Sequence, residues 1–127
     1  FIVTKEQHYE MLSIADAAIV SSGTATLETA MLGCPMVVCY RLSPITWFLA
    51  QKMSSVKYLS LVNLISNKKI VKELLQSKMV ASNIAEEVLF LLSDDGQKNV
   101  KSGYRELVNC LTSKTDPYQE AAQYILE

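Results

Sequence analysis

The chain has 127 residues, half of them hydrophobic, and a formal net charge of −1. That length and composition suit one domain with a real core and exclude a disordered tail. No apolar run reaches membrane-spanning length, since Asp16, Ser21 and Gln51 interrupt the longest ones, and no basic run interleaved with aromatics marks a nucleic-acid partner.

Taken in order, Phe1 to Val3 reads as a short strand entered midway, as in a fragment of a longer protein, with no signal-peptide layout. A helix is predicted over Gln7 to Ile14; its His8 is the sole histidine and reads as a surface residue, so a histidine-based metal site is not expected. Ala17 to Val20 is a buried strand that empties into Ser21-Ser22-Gly23-Thr24, where a helix to Leu32 begins. Such a turn leaves backbone N–H groups unpaired at the positive end of a helix dipole, which suits a phosphate. Glu28 follows about one turn in, where a carboxylate can accept hydrogen bonds from sugar hydroxyls. The same eight residues equally describe a tight corner at Gly23 with Ser22 or Thr24 as a cap.

Gly33 stops that helix, Pro35 prevents its return, and Met36 to Tyr40 reads as a second buried strand. Strand, turn, helix and strand then make a βαβ unit of a parallel sheet. Ser43-Pro44 opens a helix running through Trp47, Phe48 and Met53, with the two aromatics read as core in preference to membrane contacts. Beyond it the reading is a strand over Lys57 to Leu61, a polar loop over Asn63 to Asn67 and a helix over Lys69 to Gln76. A helix over Asn83 to Leu92 follows, capped by Ser82 and burying Ile84, Val88, Leu91 and Leu92. Asp95 to Leu111 is helical with Gly96 and Gly103 as weak points, and Pro117 starts a last helix, Tyr118 to Leu126.

The fold class expected is α/β: a Rossmann-like parallel sheet flanked by helices, with an α/β unit over 1–92 and a helical C-terminal tail over 93–127. Charge is uneven. The segment from Arg41 to Lys78 carries +6 and the remainder −7, so the middle favours an anionic ligand or membrane face, with Lys68-Lys69 as candidate anion contacts. Cys34, Cys39 and Cys110 show no metal spacing; the two at the predicted strand, Cys34 and Cys39, read as small buried apolar side chains, and the set fits a reducing compartment.

A family resemblance covers most of these residues in order. Ala15-Asp16, Ser22-Gly23-Thr24-Ala25-Thr26-Leu27-Glu28, Gly33-x-Pro35-Met36-Val37-Val38, Tyr40-Arg41 with Pro44 and Thr46, Ser60-Leu61-x-Asn63-Leu64 and Val71-x-Glu73-Leu74-Leu75-Gln76 together resemble the C-terminal half of lipid-A-disaccharide synthase, a GT-B type glycosyltransferase. The likeness weakens after about Leu92. It implies an inverting enzyme that moves diacylglucosamine from UDP-diacylglucosamine to diacylglucosamine 1-phosphate, forming the β-1,6 lipid A disaccharide, at the cytoplasmic face of the inner membrane and without a metal or cofactor. This half would hold UDP, while the N-terminal half supplies the acceptor side and the general base, so the chain alone would bind and not catalyse.

By the same resemblance Ser22, Gly23 and Thr24 face the pyrophosphate, Glu28 the ribose, and Asn63 with Leu64 lies near the nucleotide. Arg41 contacts phosphate or makes a structural ion pair. The tail is open to exchange in a homodimer. The sequence departs from the family at Val62, where proline is usual, and at Ser66-Asn67; Asn67 remains able to take a left-handed turn. The competing readings are another UDP-sugar transferase or epimerase of similar fold, and a non-catalytic α/β interaction module.

Overall fold

A computed structural model describes residues 6–21, 23–46, 48 and 57–112. Its elements in chain order are α1 (His8–Ile14), β1 (Ala18–Ser21), α2 (Thr24–Met31), β2 (Met36–Tyr40), α3 (Leu61–Ser66), β3 (Lys72–Leu75), a 3-10 turn (Gln76–Lys78), α4 (Ala81–Leu91) and α5 (Asp94–Thr112). The three strands form one parallel sheet in the order β1-β2-β3, with Val20 opposite Val38 and Val38 opposite Glu73. The α/β, Rossmann-like reading therefore holds, and the helical C-terminal stretch with it.

Central β2 is an almost unbroken run of buried apolar residues, Met36, Val37 and Val38, as a strand covered on both faces requires. Strand alternation then sorts the side chains. Val20, Val38 and Glu73 face α2 and α3, while Val37 and Lys72 face α4. Gly33, at φ 76, and the amide of Cys34 bonded to the carbonyl of Thr29 end α2 where the sequence places its stop.

The long helix α5 is not set apart from this unit. It runs beneath the amino edge of the sheet, meeting the start of each strand. Gln97 donates to the carbonyl of Asp16 at 2.7 Å, Tyr104 Oη donates to the carbonyl of Cys34 at 3.0 Å, and Gly103 abuts Ile70. Val100, Tyr104 and Leu107 join Met36, Val62, Val71 and Leu91 in one core. Burial pushes the Tyr104 phenol well above its ordinary range. The amino edge is closed by α5, and the carboxyl edge, where ligands of open α/β sheets bind, is left clear of it.

Three expectations are corrected. The predicted strand over Lys57 to Leu61 and polar loop over Asn63 to Asn67 are replaced by the helix α3, with Ser60 as its cap and Asn67 (φ 48) ending it in the left-handed region. Six residues are too few for helical periodicity to register, and the helix rests on side-chain bonds from β3. The predicted helix over Lys69 to Gln76 is strand β3. Lys, Glu and Leu are good helix formers, but pairing with β2 and burial of Val71 and Leu74 override that preference. Finally, α4 begins at Ala81 after Val80, so Ser82 lies inside its first turn and caps nothing. Ile84, Val88 and Leu91 pack as expected, while Leu92 is exposed.

The predicted strand Phe1 to Val3, Trp47, and the helix Tyr118 to Leu126 with its dimer exchange lie outside the described residues. Phe48 is exposed and residues 44–46 are helical.

Candidate nucleotide site

At the carboxyl edge, β1 ends at exposed Ser21 and the chain turns through Gly23 into α2. Gly23 adopts φ 137 and ψ −162, a region that essentially only glycine occupies. Buried Thr26 locks the turn from below: its amide and its Oγ1 both reach the carbonyl of Gly23, at 3.2 and 2.7 Å. No described side chain caps α2, so its first two amides, Thr24 and Ala25, keep their intrinsic lack of helical partners. Thr24 is exposed, and Glu28, one turn on along the same face, is half-buried without a side-chain hydrogen bond to another described residue. Ser22 lies outside the described residues.

Arg41 stands exposed one residue beyond β2, at the same edge as Gly23 and Thr24. Its strand-end loop is tied to β3, because Gln76 Nε2 donates to the carbonyl of Leu42 at 3.2 Å while Gln76 itself sits at φ 51. Gly23, Thr24, Glu28 and Arg41 are thus brought to one edge by two neighbouring strands.

Asn63 is placed differently. Its side chain is fully buried and its hydrogen-bonding capacity is used within the fold. Nδ2 donates to the carbonyl of Val71 at 2.8 Å and to Glu73 Oε1 at 2.9 Å, and Oδ1 accepts from the amides of Ile70 and Val71 at 2.7 and 3.0 Å. The amide of Leu64 is bonded to the carbonyl of Ser60 and its carbonyl to the amide of Asn67, so its backbone amide is committed within α3 while its side chain is exposed. Asn63 ties α3 from inside to the chain that enters β3.

Two residues of that edge carry weight that local patterning does not assign them. Along the sequence Glu73 is the lone acid of a basic segment, yet its carboxylate accepts from the amides of Leu59 and Ser60, Ser60 Oγ and Asn63 Nδ2. Gln76 holds the Arg41 loop. The spacing Ser60-x-x-Asn63, a helix-cap signature, is the local signal for the first network. Lys68, a candidate either for anion contact or for a solvated surface, is paired with Glu106 of α5. Among the described residues no cluster of three or more His, Cys, Asp or Glu side chains is arranged to hold a metal ion. No helix among them is long and apolar enough to cross a membrane. Cys34, Cys39 and Cys110 form no disulfide, and burial pushes the Cys34 and Cys39 thiols upward.

A hollow of about 390 Å³ lined by Ala30, Met31, Tyr104, Arg105 and Val108 opens at the other end of α2. It lies toward the amino edge and takes no part in the arrangement above.

A parallel sheet with an uncapped, glycine-entered helix at its carboxyl edge defines a Rossmann-like α/β unit. Sequence comparison gives that class a family. The sequence model described as lipid-A-disaccharide synthetase matches residues 1–125, and the chain belongs to the lipid-A-disaccharide synthase family. It is 34% identical to the lipid-A-disaccharide synthase of Blochmanniella pennsylvanica over 126 residues, 98% of this chain and 32% of that protein. It is 39% identical to that of Serratia proteamaculans over 122 residues and to that of Salmonella arizonae over 119, in each case 31% of the relative's length. The chain therefore spans about a third of the curated relatives it matches.

Proposed function

We propose that this chain is the donor-binding, C-terminal part of a lipid-A-disaccharide synthase and holds UDP at the carboxyl edge of its sheet. In this reading the glycine turn and leading amides of α2, with Ser22, Gly23 and Thr24, receive the pyrophosphate. Glu28 accepts from the ribose hydroxyls, and Arg41 contributes positive charge from the neighbouring strand. Asn63 acts from within, and the Leu64 side chain flanks the edge. The observation that carries it is the conjunction at α2: a turn that favours glycine, no cap from a described side chain, and a carboxylate one turn along the same face without a described side-chain partner.

The whole enzyme would transfer diacylglucosamine from UDP-diacylglucosamine to diacylglucosamine 1-phosphate with inversion, forming a β-1,6 bond. Negative charge then develops on departing UDP, and preorganised amides with Arg41 stabilise it more in the transition state than in the ground state. The general base and acceptor site belong to the N-terminal half, so this chain by itself binds without turnover. The working location is the cytoplasmic face of the inner membrane, where both lipid substrates reside, and no cofactor is required.

The test is calorimetric titration with UDP, with CDP and ADP as controls. Selective binding of UDP is the expected result. Equal binding of all three would reduce the site to a general phosphate cradle, and no binding by a folded sample would favour a non-catalytic module.

A further inference from the structure

We infer that Glu73 is the positioning residue of the nucleotide edge, a role that rests on the donor-site reading above. Glu73 occupies a sheet position on the face covered by α2 and α3, in the row of Val20 and Val38, where an apolar side chain would be ordinary. A carboxylate there is costly unless its oxygens are satisfied. They are: Oε2 accepts from the amide of Leu59 at 3.0 Å, and Oε1 from the amide of Ser60 at 3.0 Å, Ser60 Oγ at 2.8 Å and Asn63 Nδ2 at 2.9 Å.

Capping α3 does not require this. Ser60 Oγ already accepts from the amide of Asn63, which is the ordinary cap. Glu73 grips the chain upstream of the helix, at Leu59 and Ser60, and so fixes where the 59–63 segment enters, with the start of α3 directed toward the carboxyl side of β3. Asn63 then links that segment to the strand's own approach, at Ile70 and Val71. Charge-assisted bonds from one rigid strand are suited to holding a loop in the geometry a ligand needs before the ligand arrives.

Lys72 supplies the internal control. It is the adjacent residue on the same strand but faces the other way, where it pairs with Glu87 of α4 at 2.8 Å. Breaking either interaction weakens the fold; only Glu73 faces the nucleotide-side layer.

The experiment compares wild type, Glu73→Gln, Glu73→Asp and Lys72→Met by UDP calorimetry, at a temperature where circular dichroism finds each folded. Hydrogen exchange of wild type is followed with and without UDP. Glutamine keeps the size but turns an N–H toward a donor; aspartate keeps the charge at shorter reach. We expect Glu73→Gln to weaken UDP binding about tenfold or more, Glu73→Asp to recover part of it, and Lys72→Met to leave it within about twofold. UDP should slow exchange across residues 59–63 of wild type, a readout that stands if the glutamine variant does not fold. Unchanged UDP affinity in folded Glu73→Gln, or exchange at 59–63 indifferent to UDP, overturns the positioning role while leaving the donor site intact. A folded wild type that binds no UDP removes the donor reading and this role with it.

Discussion

Gly96 in α5 lies against the backbone of Phe90 in α4 so closely that a Cβ at Gly96 would stand 2.0 Å from the Phe90 carbonyl oxygen and 2.7 Å from its carbon. The two helices meet there through a tight corner in which Ser93 Oγ accepts from the amide of Gly96 at 3.1 Å and donates to the Phe90 carbonyl at 2.6 Å. Local propensity treats Gly96 as a weak point of a helix. The packing makes it a requirement.

Gly96→Ala should therefore destabilise the chain by about 3 kcal/mol, the upper end of overpacking penalties, despite a helix-propensity gain of about 1 kcal/mol. Gly103→Ala should cost less, because the atoms it meets belong to the Ile70 side chain, which can shift. Urea unfolding of both variants checks the order; equal losses would mean that the α4–α5 corner yields more readily than its geometry implies.

The Lys72–Glu87 pair joins β3 to α4, with side-chain exposures of 38% and 10%. Lys72→Met leaves Glu87 buried without this partner and should cost about 1–2 kcal/mol, well below a fully buried pair because water screens Lys72. The hydrogen bond to Glu87 holds the Lys72 pKa above its usual 10.5. A raised lysine pKa contributes stability that is complete below the unfolded value and is lost as pH rises through the folded one. The gap between wild type and Lys72→Met should thus be constant from neutral pH to about 9 and shrink above 10.5, as unfolding series at each pH would record.

Gly23→Ala tests the turn itself. No atom lies within 4 Å of the added Cβ, so the penalty is backbone strain at φ 137 and not collision. A loss of about 1–3 kcal/mol in stability is expected. UDP affinity should fall further than stability alone accounts for, since the leading amides of α2 move with the turn; calorimetry on the folded variant measures it.

Glu28→Ala should weaken UDP binding about tenfold, or about 1.4 kcal/mol, whereas Lys57→Ala, an exposed residue beside the Tyr58 ring, should leave it within about twofold. Equal effects in a titration would sink the ribose assignment.

Much of the ligand edge is legible in the residues alone. The run Ala17 to Val20, the glycine turn and Glu28 announce strand, turn and helix through residue types whose backbone needs are local, and Gly33-Cys34-Pro35 marks the stop just as locally. The stretch from Lys57 to Gln76 defeats local patterning in every element. Lys72 and Glu73 look like the solvated face of a helix, but in β3 they point to opposite layers, where each meets a partner from another element. Asn63 is placed near the nucleotide by the family resemblance, and its amide is consumed inside the fold.

By itself the sequence determined the α/β class and the glycine turn into α2, because buried β-branched runs, glycine backbone freedom and helix stops act within a few residues of the chain, and its motif series carried the family. Only the tertiary structure decided that α5 seals the amino edge beneath all three strands, that Gly96 is fixed by a neighbouring carbonyl, and that Glu73 and Asn63 hold α3 against β3. Those outcomes depend on groups 6 to 81 residues apart, and no local pattern encodes which buried polar atom will find which partner.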